Sequence, residues 1–292
     1  MFDHFLEITI IIFFGFATLY PILLTIVPMR SIDPGFYRFN LGLSIIIGAL
    51  AVFPIMILKI DYLYANSLAV IWFLLLSSFT AFYWNSKKIE NIYINVISLI
   101  GICSLGLITS ELLSELNLVS TLFSVTIGSI ITALVFFSMI LGHWYLNVIQ
   151  LPIKFLFNST LALSVCLSIR SIWDIIYLSL NFHIHEYGLK YSLWSFLVSF
   201  DGFLMLVGLL IGIIFPLIIN FLAFKSIRLQ ATQSATGLLY VSIVSILFLS
   251  FPIGFLFAGF EYLNTKKFLS TKYDELNEKI EDYIEDMEVT YP

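Results

Sequence analysis

The chain has 292 residues, 60% of them hydrophobic and only 11% charged, with a net charge of −5 and a mean hydropathy of +1.01. That little polar surface cannot cover a water-soluble globule, so lipid is the expected solvent. The acidic balance, with no basic extramembrane domain, excludes nucleic acid as a partner.

A helix crossing hydrocarbon needs about 20 largely apolar residues, each adding about 1.5 Å of rise. Spans are predicted near residues 9–27, 41–58, 67–83, 92–107, 118–141, 155–176, 197–222 and 238–257, eight in all. Runs such as LLIGIIFPLII do not alternate, which argues against a membrane barrel. The first span is expected to be retained: Asp3, His4 and Glu7 precede it, where a signal peptide would carry bases. Cys103 and Cys166 fall inside spans, where a thiol acts as a small apolar group.

With eight spans both termini share one face, together with the even-numbered connections. The opposite face carries Arg30, Arg38, Lys87, Lys88, Lys154, Lys225 and Arg228 against Asp33 and Glu90. Short loops rich in Lys and Arg stay in the cytoplasm, so this basic face is expected to be cytoplasmic and both termini periplasmic, in a bacterial inner membrane. Lys266 and Lys267, close to the last span, pull the other way.

The fifth span ends in SMILGHWYLNVIQLPIKF, which delivers His143, Trp144, Tyr145, Asn147 and Gln150 to the basic boundary. The sixth span leaves there with Asn158, Ser159 and Thr160, and the eighth is preceded by RLQATQSATG, with Arg228, Thr232, Gln233 and Ser234. Polar clusters sharing one depth suit a lipid-soluble ligand with a polar head. His143 can exchange a proton with a quinone oxygen near neutral pH. Thr232, Gln233 or Ser234 can hydrogen-bond the other oxygen, Trp144 or Tyr145 can cover the ring, and Arg228 favours an anionic intermediate. The plain alternative assigns Trp144 and Tyr145 to the aromatic belt and the hydroxyls to helix caps.

Within the sixth span Arg170 and Asp174 stand one turn apart, so an intramembrane ion pair is expected, or else a proton step between the faces. The following connection contains FHIHEYG. Its two histidines are a weak metal signal without further ligands, and solvated loop residues are the expectation.

The tail, 263–292, has nine acids from Glu261 to Glu288 in and just before it, and Leu269, Tyr273, Leu276, Ile280, Tyr283 and Met287 recur at spacings of 4 and 3. An amphipathic extramembrane helix of about five turns is predicted, folding back on the protein's own loops or docking a partner subunit.

His143 is the one histidine of four near a span interior, so a bis-histidine haem is not expected. No metal is expected, and no hydrolase motif appears, so intrinsic catalysis is not expected either. Pro54, Pro216 and Pro252 interrupt spans as in carriers, but the two halves show no internal repeat. The whole reads as an all-α polytopic protein, an eight-helix membrane bundle over 1–262 with an acidic amphipathic tail over 263–292. In architecture alone it resembles the quinone-reactive anchors of modular respiratory enzymes. The expected role is a membrane subunit of a larger bacterial, respiratory complex, contacting quinone or lipid and other membrane subunits. A small-solute or proton-coupled transporter and a structural subunit or assembly factor are the alternatives.

Overall fold

The structure is a computed structural model that describes residues 5–57, 63–86, 89–113, 117–148, 151–180, 182–184, 190–199 and 202–247. Among the described residues seven helices are long and apolar enough to cross a membrane: Leu6–Ile26, Pro34–Ile57, Tyr64–Phe82, Asn91–Leu112, Leu118–Asn147, Lys154–Leu180 and Met205–Arg228. The first comprises α1 (Phe5–Leu19) and a tighter 3₁₀ continuation, Tyr20–Ile26, that begins where Pro21 removes a backbone donor. The next five are α2 (Pro34–Ile57), α3 (Leu63–Phe82), α4 (Asn91–Leu112), α5 (Leu118–Asn147) and α6 (Lys154–Leu180). A shorter apolar helix, α10 (Thr232–Leu247), enters the eighth predicted span. The rest of that span, from residue 248, and the acidic tail lie outside the described residues.

Helix α1 is the axis, packing on α2, α4 and α5. It approaches them closely because small residues stand at the crossings, the common way of joining helices in lipid. A Cβ on Gly15 would lie 2.1 Å from the Ser129 hydroxyl of α5. Trp72 of α3 is fully buried and meets Phe14 of α1 edge-on at 4.9 Å. Gly48 of α2 and Gly101 of α4 form the other walls of its slot; a Cβ on Gly101 would stand 2.5 Å from the indole nitrogen and 2.6 Å from Thr18.

Two departures from the expected pattern matter. The connection after α6 contains a short antiparallel pair, β1 (Phe182–Ile184) with β2 (Lys190–Ser192), so FHIHEYG begins in a strand rather than a loop. The seventh span is not continuous over 197–222. Helix α7 (Leu193–Val198) stops, and α8 (Phe203–Leu209) starts anew. The Ser199 amide donates to Phe196 O at 2.9 Å, and the Gly202 amide donates to Ser199 Oγ at 3.3 Å. A Cβ on Gly202 would lie 1.9 Å from Phe196 O, so only glycine fits. The apolar run therefore shifts toward the C-terminus and reaches Arg228.

Helix α8 passes through a π turn, Leu210–Ile214, into α9 (Phe215–Arg228). The Phe215 amide reaches back to Leu210 O. The next donor in that register would belong to Pro216, which has none, leaving Ile211 O without its i+5 partner. The Ser245 hydroxyl of α10 donates to that carbonyl. α9 then ends in a Schellman motif, with the Gln230 amide to Ile227 O at 2.9 Å and the Ala231 amide to Ser226 O at 3.0 Å. Gln230 sits at the left-handed position with φ 58°.

Candidate functional site at the basic end of the bundle

The ends of α5 and α10 meet. Gly142 lies against Thr236, whose hydroxyl would be 2.8 Å from a Cβ on Gly142, and Thr236 in turn donates to Thr232 O at 2.8 Å. Thr236 is buried, Thr232 half-buried, and Gln233 and Ser234 exposed. The cap of α10 is Ala231, whose carbonyl accepts the Ala235 amide at 3.0 Å.

On α5, successive side chains point in different directions, and this divides the predicted cluster. His143 and Asn147 are exposed, and the Asn147 amide donates to His143 O at 3.4 Å. Trp144 turns inward, with its ring 5.4 Å from Phe36 and 72° inclined to it. Its indole N–H is buried and has no hydrogen-bond partner. Tyr145 donates to Pro152 O, tying the end of α5 to the start of α6. Gln150 lies outside the described residues.

Arg228 packs on aromatic rings of α6 and α9. Its guanidinium lies over Phe224 of its own helix at 4.8 Å and Phe157 of α6 at 6.0 Å. Those two rings are themselves 4.6 Å apart. The contact between α6 and α9 holds the guanidinium there.

Arg170 and Asp174 form an ion pair, with Nε 2.9 Å from Oδ1. Arg170 Nη1 also donates to Ser124 O of α5 at 3.0 Å, and Trp173 Nε1 donates to Ser124 Oγ at 3.1 Å. The pair is thus part of the α5–α6 contact. Sequence reasoning could not supply Ser124, which looks like any small residue of a span.

Other buried polar groups escaped the sequence reading altogether. Asn220 of α9 is buried and donates to Thr160 O at 3.0 Å and Ser164 Oγ at 2.6 Å. Tyr20 donates to Asn40, which donates to Phe36 O at 2.6 Å. Tyr37 donates to Val27 O at 2.8 Å. An amide inside LIINFL was a legible signal for Asn220, since polar groups in lipid are rarely left without purpose.

No protein-family model, curated protein sequence or solved structure matches this chain.

Proposed function

We propose that the chain is a multi-pass membrane subunit of a larger bacterial, respiratory complex, which holds the polar head of a quinone or similar lipid at its basic end. The reading rests on the buried, unpartnered indole N–H of Trp144, which faces α2 one half-turn beyond Gly142, the residue of α5 that meets α10. An indole can only donate, and leaving it unsatisfied costs about 1–3 kcal/mol. A quinone carbonyl can only accept. His143, Asn147, Gln233 and Ser234 are exposed around the same end, where a laterally entering head group meets them. Arg228 has no part in this version of the site. The chain itself carries no catalysis; partner subunits with their own cofactors do the chemistry.

In this reading the chain crosses an inner membrane eight times, the last crossing supported by the hydropathy of residues 238–257, with the basic face cytoplasmic and both termini periplasmic. The acidic tail is the natural place for a partner subunit. A carrier is favoured by one observation, the interruption of the seventh span at Ser199–Gly202 combined with its π turn, because broken helices mark transport pathways.

The test is gentle purification from the native membrane, followed by identification of co-purified proteins and extractable quinone. Cytochromes or iron–sulfur proteins should accompany the chain, and Trp144→Phe and His143→Ala should each lower quinone turnover with the complex intact. A lone, quinone-free monomer refutes the proposal, and substrate uptake by that monomer in vesicles establishes the carrier.

A further inference from the structure

The phenylalanine rings that hold Arg228 lie among further cations. Lys225, one turn before Arg228 on α9, has Nζ 4.7 Å from the centre of the Phe221 ring. Lys154 opens α6 one turn before Phe157, with Nζ 5.2 Å from the centre of the Phe155 ring. All three cations are exposed. None has a carboxylate partner among the described residues, where the Arg170–Asp174 pair lies far along α6. For Lys225 and Arg228 the end of α9 offers a compensating dipole, but Lys154 stands at the positive end of α6, where a cation is disfavoured. An anion placed between the two helix ends relieves that conflict.

We infer that Lys154, Lys225 and Arg228 clamp the headgroup phosphate of an anionic phospholipid at the α6–α9 junction. The site is amphipathic in the way such a ligand requires. The Phe157 and Phe224 rings, tilted against each other, form its floor; one turn deeper Phe221 of α9 and Leu161 of α6 are 56% and 43% exposed, and Ile218, a further turn along α9, is 53% exposed. A guanidinium lying over aromatic rings keeps its N–H edge free for a phosphate, and the ring contact holds it at the boundary without a carboxylate. A soluble anion would use the charges but leave the apolar wall uncovered; a phospholipid uses both. The inference needs only the membrane-spanning reading and is independent of the ligand at Trp144.

The full-length protein is exchanged with phosphatidylglycerol or phosphatidylcholine of identical acyl chains, and retained lipid is counted by native mass spectrometry. Phosphatidylglycerol should be retained preferentially. A cation near the surface contributes roughly a fivefold preference, so K154Q/K225Q/R228Q should reduce it on the order of a hundredfold. Arg30→Gln, an exposed cation on the same predicted face, should leave it unchanged. Should the triple variant aggregate, R228Q and K225Q singly should each lower the preference about fivefold. Equal retention of the two lipids, an unaltered preference in these variants, or complete displacement of lipid by excess inorganic phosphate overturns the inference.

Discussion

Removing Arg170 alone should be far more damaging than removing Arg170 and Asp174 together. Asp174 is 5% exposed and its carboxylate has the guanidinium at 2.9 Å. At an effective dielectric near 20, two unit charges about 4 Å apart interact by about 4 kcal/mol. Arg170→Met therefore strands a buried carboxylate, at a cost of about 3–5 kcal/mol. Asp174→Leu is expected to cost less, about 1–2 kcal/mol, because the Arg170 side chain is 18% exposed and still reaches Ser124 O. With both charges replaced by apolar groups of similar volume, the α5–α6 contact should lie within about 2 kcal/mol of the natural protein. The coupling between the two sites is then at least about 2 kcal/mol. Equilibrium unfolding of the full chain in mixed micelles, titrated with dodecyl sulfate, measures all four corners of this cycle. Single-variant losses that add to within about 0.5 kcal/mol would show that the pair has no such linkage.

Further outcomes follow from the close contacts and the helix breaks. Gly101→Leu should destabilise by at least about 1–3 kcal/mol in the same titration, since its side chain must displace the Trp72 indole and Thr18. Ser245→Ala should cost about 1–2 kcal/mol by orphaning Ile211 O, and much less in a Pro216→Ala background, where a backbone donor is restored. Gln230→Gly should stabilise by up to about 1 kcal/mol, because a left-handed residue with a Cβ is strained and glycine is not. Trp144→Phe should leave the unfolding midpoint nearly unchanged while weakening quinone binding roughly tenfold, as the loss of one hydrogen bond implies.

Hydropathy located the apolar helices because length and greasiness are properties of a segment by itself. Their ends drifted where the deciding force was local backbone chemistry. The α5 helix continues past Leu141 to Asn147 because polar tips at a boundary do not break a helix. The seventh span restarts after Gly202, where the Phe196 carbonyl leaves no room for a side chain. At the candidate site the sequence conveyed depth and not direction. His143 and Trp144 are neighbours in the chain, yet one is exposed and the other turned onto Phe36, an angular fact fixed by the position of α2. The same limit hid the Phe157 ring of α6 beneath Arg228. Arg170 and Asp174 were legible as a pair because both partners lie on one helix at i and i+4, whereas Ser124, contributed by another helix, was not.

The slot around Trp72 has a bearing on how the bundle is put together. Its walls come from α1, α2 and α4, while the indole itself is carried by α3. In chain order α3 precedes α4, so the slot around the indole lacks one wall until Gly101 arrives. Closure of that notch is what locks the first four helices together.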